Sequence, residues 1–126
     1  MITHKELDNG YKYIEIENSH AEAKIALQGA HLFHYQAKGK KPLLWLSELA
    51  HFEEGKAIRG GVPICFPWFG PNQYNADLPQ HGFARNQLWK LMSAQELADG
   101  STHLQLILTP NKETRAVWDS SFVLMF

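Results

Sequence analysis

Apolar and polar residues alternate along the first third of the chain, as they do in half-buried β-strands. In residues 11–17, Ile14 and Ile16 alternate with glutamates. After a short polar turn, the period of two continues through residues 21–28, which suggests the second arm of a hairpin. A glycine interrupts this run, and residues 31–36 fit a third strand. The front of the chain is therefore predicted to form antiparallel strands.

The same pattern returns near the C-terminus. Residues 89–97 and 103–108 are each predicted to form a strand, the second with three leucines on one face. Residues 114–118 are expected to begin another strand, and residues 121–126 to form the last one. We therefore predict an all-β fold.

The chain stops on the apolar residues 123–126, without a polar cap or a turn. An apolar strand that ends so abruptly leaves an unpaired edge or an uncovered face. We therefore expect a truncation at the C-terminus, and dimerisation through the exposed sheet edge is one way to cover it. The alternative is a native terminal strand that is tucked into a sheet.

Between these strand regions, residues 47–84 are rich in both glycine and proline. This density disfavours a long helix or a central strand. The segment is nevertheless too apolar for a flexible linker, because it also holds the aromatic residues Phe52, Phe66, Trp68 and Phe69. A long ordered loop of this kind usually has a functional role, so we expect the site here.

Composition narrows the function classes. The 126 residues suit one domain, and 44% hydrophobic residues argue against disorder. A net charge of −1 argues against sequence-independent binding of nucleic acid, although one or two arginines suffice for a small anion. No apolar run is long enough to span a membrane and we expect no secretory signal, so we predict a cytoplasmic protein. The lone Cys65 cannot form an internal disulfide and is a weak candidate nucleophile.

Seven histidines raise the question of a metal site. His31 and His34 are three residues apart, which on a strand sends them to opposite faces. His4, His20 and His51 fall in segments that we expect at the surface. We therefore predict no metal site, and the alternative is a pair of histidines that the fold brings together.

A cluster of hydrogen-bonding groups closes the Gly/Pro-rich segment. Gln80, His81 and Arg85 lie within six residues, together with Gly82 and Phe83. Polyhydroxylated rings are recognised by such a mixture of fixed donors, acceptors and an aromatic face. The alternative is a packed surface loop with a structural histidine.

A second candidate is Arg59, which precedes Gly60 and Gly61. Two glycines allow a ligand to approach the backbone, and the guanidinium offers a forked donor to a carboxylate or phosphate. The alternative is a solvent-facing arginine. Residues 64–71 are most simply core and turn material, although Phe66 or Trp68 could line a sugar pocket.

Residues 58–70 and 81–85 together resemble the D-hexose-6-phosphate mutarotases, also called glucose-6-phosphate 1-epimerases. These form a branch of the aldose 1-epimerase, or galactose mutarotase-like, superfamily. Residues 28–31 also resemble an early strand of the family that ends in a glycine. The resemblance covers essentially the whole chain but only about the first half of a typical member, so residues 1–126 are expected to be the N-terminal portion of a single domain.

The resemblance implies part of a large antiparallel β-sandwich that binds sugar on a concave face. It also implies interconversion of the α and β anomers of an aldohexose 6-phosphate by acid–base ring opening, without a metal or cofactor.

The resemblance further implies that Arg59, Gln80 and Arg85 bind the substrate, with His81 as a pocket residue close to the sugar ring. The family's principal acid histidine and base glutamate come from later segments, beyond Phe126, so no catalytic residue is predicted within this chain. The alternative function is a non-catalytic carbohydrate-binding or sugar-sensing β-sandwich module.

Overall fold

Most of the regular secondary structure belongs to two antiparallel sheets. The structure is a computed structural model and describes all 126 residues. The first sheet has the order β1-β2-β3-β4, and the second has the order β5-β6-β7. The strands of the first sheet are β1 (Ile2–Glu6), β2 (Lys12–Glu17), β3 (Ala21–Ala26) and β4 (His31–Ala37). The strands of the second are β5 (Lys90–Glu96), β6 (Thr102–Leu108) and β7 (Leu124–Met125).

The main core lies between the two sheets. Ile14 of β2 pairs with Ile25 of β3, and both side chains are buried. Leu106 and Leu108 of β6 pack against the same cluster, together with Trp89. The predicted alternation is confirmed on these strands, and it gives each sheet one apolar face to bury against the other.

A smaller core covers the opposite face of the first sheet. It consists of the buried residues Tyr11, Ala26, Phe33 and Ile58, with Phe52 packed against them. Phe33 and Phe52 stack at 5.0 Å between ring centroids. Because Phe52 and Ile58 come from the Gly/Pro-rich segment, this segment covers the sheet as an ordered layer.

Residues 38–83 contain no helix and no continuous strand. Isolated bridges hold the segment instead, pairing Leu32 with Val62, Leu46 with Gly60, and Phe66 with Gly82. The predicted long ordered loop is confirmed. The bridge between Leu32 and Val62 ties the segment to β4 of the first sheet, and the other two fix the backbone on which the candidate residues lie.

Three details near the chain ends differ from the sequence-based predictions. Residues 114–118 do not begin a strand: Lys112–Val117 forms the α-helix α1, which is too short to cross a membrane. Of residues 121–126, only Leu124–Met125 pairs as a strand. Strand β1 was not predicted, because residues 2–6 are mostly polar.

The helix has a local cause. The Asn111 side chain accepts a hydrogen bond from the Thr114 amide at 2.9 Å, and the Asn111 amide donates to Thr114 Oγ1 at 2.9 Å. This reciprocal capping satisfies amides that a helix start leaves free, and it outweighs the strand preference of Thr and Val.

Candidate functional site

His81 lies in a turn that fixes both its backbone and its ring. Its amide donates to the Gly70 carbonyl at 2.8 Å, and the Gly70 amide donates to His81 Nδ1 at 2.9 Å. Nδ1 is thus the acceptor nitrogen, so the neutral ring carries its hydrogen on Nε2. The His81 φ of 66° lies in the left-handed region, a strained conformation that is more frequent at functional sites.

An exposed aromatic ring accompanies His81. The Phe69 ring is 81% exposed, and its centroid lies 4.9 Å from that of His81. An accessible ring next to a fixed N–H donor offers both an apolar face and a polar group, which is the combination that sugar rings bind.

Arg85 closes the same turn from the short 3₁₀-helix Ala84–Asn86. Its Nη2 donates to the Gln80 carbonyl at 3.1 Å, whereas its Nε is buried without a hydrogen-bond partner. The Gln80 residue is exposed and His81 partly so. The structure thus brings Gln80, His81 and Arg85 together in one turn, as their sequence spacing predicts.

Arg59 lies on a separate turn and is exposed. Ile58 before it is buried in the smaller core. The Arg59 carbonyl accepts a hydrogen bond from the Ser47 amide at 2.9 Å, and the Gly60 carbonyl accepts one from His31 Nε2 at 2.6 Å. The backbone of this turn is therefore anchored on both sides, while the Arg59 guanidinium faces solvent.

The start of β4 joins the two arginine-bearing segments. His31 contacts the turn that follows Arg59. Two residues earlier, Gly29 packs so closely on the Arg85 backbone that a Cβ there would lie 2.7 Å from the Arg85 carbonyl oxygen. The Gly29 amide also donates to the Gln87 carbonyl at 2.8 Å. Both segments that carry predicted binding arginines therefore pack against residues 29–31.

His31 is buried, with only 1% of its surface exposed. Burial lowers the pKa of His31 below its ordinary value of 6.5, and the Arg85 charge lowers it further, while the hydrogen bond to Gly60 opposes both. The imidazole at the junction of the two segments is therefore neutral at neutral pH.

The lowered pKa of His31 predicts a loss of stability in mild acid. Between the pKa of unfolded histidine and that of folded His31, the unfolded chain binds more protons, so the free energy of unfolding falls as the pH falls. We expect urea unfolding between about pH 7.5 and 5.5 to show this decline in the wild type and a shallower one in His31→Gln. Equal slopes for the two proteins would contradict the prediction.

The largest cavity does not coincide with the candidate residues, although a smaller one of about 330 Å³ is lined by Phe69. The largest, about 570 Å³, lies between Gln28, Gly55, residues 86–88 and the start of α1. The Gln28 side chain in this cavity already has partners: its Nε2 donates to the Lys56 carbonyl, and its Oε1 accepts from the Gly55 amide. We therefore place the candidate site on the open surface around the two arginine segments, where the unpaired donors lie. No three His, Cys, Asp or Glu side chains converge as metal ligands, and Cys65 is a free thiol.

Sequence reasoning missed two residues of the candidate site. His31 was considered for metal spacing and as a strand residue, without a role at the site, yet it contacts the Arg59 turn. Phe69 was placed in core and turn material, yet its ring is exposed beside His81. The local pattern of residues 64–71 gives no sign of this exposure, since a Pro-rich aromatic run packs equally well inside.

Comparisons with known proteins agree with this fold. A family model described as aldose 1-epimerase matches residues 12–125. A protein of Escherichia coli (strain K12) named "Putative glucose-6-phosphate 1-epimerase" is 43% identical over 125 residues, covering 99% of this chain and 42% of its own length. The crystal structure of YeaD from Salmonella typhimurium, titled a "putative mutarotase", matches with a TM-score of 0.92 and 40% identity, over 98% of this chain and 41% of that one.

The Slr1438 protein from Synechocystis sp. PCC 6803 matches with a TM-score of 0.74 and 26% identity, over all of this chain and 43% of that one. The chain thus spans about two fifths of the length of these relatives.

Proposed function

The chain belongs to the aldose 1-epimerase family, and we propose that it supplies the substrate-binding part of an isomerase that interconverts the α and β anomers of an aldohexose 6-phosphate. The observation that carries the proposal is the packing of two arginine-bearing segments against residues 29–31. Two guanidinium groups held on neighbouring segments suit a phosphate dianion, which is best bound by forked donors.

In this proposal each residue has a distinct role. Arg59 and Arg85 bind the 6-phosphate, and the exposed Gln80 amide hydrogen-bonds a sugar hydroxyl. His81 offers its Nε2 hydrogen to a sugar oxygen, since Gly70 already occupies Nδ1. The Phe69 ring beside His81 provides an apolar contact for the hexose.

The proposed reaction is an acid–base ring opening. A base takes the proton of the anomeric hydroxyl while an acid protonates the ring oxygen, and the bond between C1 and the ring oxygen breaks. Rotation about the C1–C2 bond and closure with the reverse proton transfers give the other anomer. The resemblance to the family assigns that acid and base to a histidine and a glutamate outside residues 1–126.

A cytoplasmic location is part of the proposal, because a free thiol such as Cys65 suits a reducing compartment. Pairing of two chains through a sheet edge is a further prediction. Strand β7 is at the end of its sheet and pairs with β6 over only two residues, so its other edge is open.

Binding of glucose 6-phosphate by the 126-residue chain tests the proposal. We expect saturable binding in isothermal titration calorimetry, and at least about tenfold weaker binding of glucose, because hydrogen bonds to a charged group contribute about 1.5–3 kcal/mol. Equal affinity for the two sugars would show that the arginines do not recognise the phosphate, and absence of binding would refute the proposal.

Exchange NMR between the α and β anomers separates the two function classes. Faster exchange of glucose 6-phosphate in the presence of the protein supports the isomerase. For residues 1–126 alone, saturable binding with an unchanged exchange rate is the expected result, because the proposed acid and base lie outside them. The same result with a full-length protein that carries both groups favours the alternative, a non-catalytic sugar-binding module.

A further inference from the structure

His31 makes a hydrogen bond that the proposed function does not yet use. Its Nε2 lies 2.6 Å from the Gly60 carbonyl oxygen. Because a carbonyl oxygen only accepts, Nε2 must carry the hydrogen, and the buried Nδ1 then carries the lone pair and has no partner. A side chain so completely buried is held in one orientation, so it can fix the group that it binds.

The turn after Arg59 is pressed against His31. A Cβ on Gly61 would lie 3.0 Å from His31 Nε2 and 2.9 Å from the Phe33 Cα. The Val62 amide donates to the Leu32 carbonyl at 2.9 Å, which seats the end of the turn on β4. Only a glycine at position 61 allows this approach, so the backbone of the turn packs directly against the imidazole.

On the side away from β4, the turn is held by backbone hydrogen bonds alone. The Gly61 amide donates to the Trp45 carbonyl at 2.8 Å, and the Ser47 amide donates to the Arg59 carbonyl at 2.9 Å. Residues 45–47 belong to the long segment without regular strands, and Trp45 is 70% exposed. The contact from His31 is thus a side-chain hydrogen bond between the Arg59 turn and the first sheet, in addition to the apolar packing of Ile58 on that sheet.

We propose that His31 is a positioning residue of the sugar-phosphate site: by donating its Nε2 hydrogen to the Gly60 carbonyl, it holds the Arg59 turn against the start of β4, beside the segment that carries Arg85. This inference rests on the proposed function. The Arg59 side chain is long and exposed, so a fixed backbone beneath it restricts the region that its guanidinium explores. Restricting the binding group before the ligand arrives lowers the entropic cost of capture.

Paired substitutions of His31 test the proposal in the 126-residue chain. His31→Gln keeps an N–H donor of similar reach, whereas His31→Met fills a similar volume without a donor. We expect His31→Met to weaken glucose 6-phosphate binding about tenfold and glucose binding by less than about twofold, with His31→Gln restoring most of the loss, since only the phosphate contact depends on Arg59. His103→Met, at an exposed strand position, is the matched control and should change neither affinity.

Two spectroscopic readings accompany the titrations. Long-range ¹H–¹⁵N spectra should show the hydrogen of His31 on Nε2, and the backbone amides of Arg59 and Gly60 should shift in His31→Met but stay close to wild type in His31→Gln. Equal losses for glucose and glucose 6-phosphate, or unchanged affinity in His31→Met, would overturn the positioning role alone. If the wild type binds no glucose 6-phosphate, the proposed function fails first and the inference falls with it.

Discussion

Gly82→Ala is expected to lower the free energy of unfolding by about 3–4 kcal/mol. Gly82 has a φ of +73°, which an L-residue adopts only at a cost. A Cβ at this position would also overlap the Phe66 carbonyl oxygen and lie 2.7 Å from the Pro67 nitrogen. The Phe66 carbonyl accepts hydrogen bonds from the Phe83 and Ala84 amides, so displacing it disturbs the turn that carries His81 and Arg85.

Gly39→Ala is the matched control for this prediction. Its φ of +71° is nearly the same, but a Cβ there meets nothing within 4 Å. We expect it to cost only about 1 kcal/mol, because left-handed strain is partly offset by the reduced entropy of the unfolded chain. Urea unfolding of both variants gives the steric contribution as the difference between them. Similar losses at the two positions would show that the close approach of Gly82 to Phe66 carries no energetic weight.

The strands were predictable wherever one face is buried and the other exposed. Ile14 and Ile25 alternate with polar neighbours because each strand places successive side chains on opposite faces of the sheet. Strand β1 lacks this contrast, since its residues are mostly exposed and it is held by pairing with β2. Apolar alternation reports which side chains are buried, so it does not reveal a strand such as β1, whose side chains are mostly exposed.

The helix α1 shows a different limit. Thr114 and Val117 favour a strand by composition, but the capping pair of Asn111 and Thr114 decides the local structure. The signal was present in the sequence: Asn111 follows a proline, and Thr114 comes three residues after Asn111. This signal lies in side chains that hydrogen-bond to the backbone and not in apolar periodicity. A search for alternating apolar and polar residues therefore does not detect it.

In the candidate site, the local contacts were predictable from the sequence and the long-range contact was not. Gln80, His81 and Arg85 meet because they share one short turn, so their sequence spacing was sufficient to group them. The junction between the Arg59 turn and the Arg85 segment depends on His31, which lies 29 residues from Gly60. Such a contact arises because the long segment folds back on β4. The sequence alone does not show that His31 and Gly60 come together in space.

Arg59→Ala is expected to weaken glucose 6-phosphate binding by about 30-fold, or about 2 kcal/mol, as expected for lost hydrogen bonds to a charged group. The Arg59 side chain is exposed, and the contacts of its turn are made by backbone atoms and by His31. The substitution should therefore leave the fold intact. Arg59→Lys retains the charge but not the fork, so we expect an intermediate loss.

Two comparisons determine whether this loss belongs to the phosphate. Glucose lacks the group that Arg59 is proposed to bind, so its dissociation constant should be the same for the wild type and Arg59→Ala in titration calorimetry. Arg115→Ala removes an equally charged, exposed side chain from α1 and should leave both affinities unchanged, which excludes an effect of net charge alone. If Arg115→Ala weakens glucose 6-phosphate binding as much as Arg59→Ala does, recognition is a property of overall charge, and the assignment of the phosphate to the Arg59 turn is wrong.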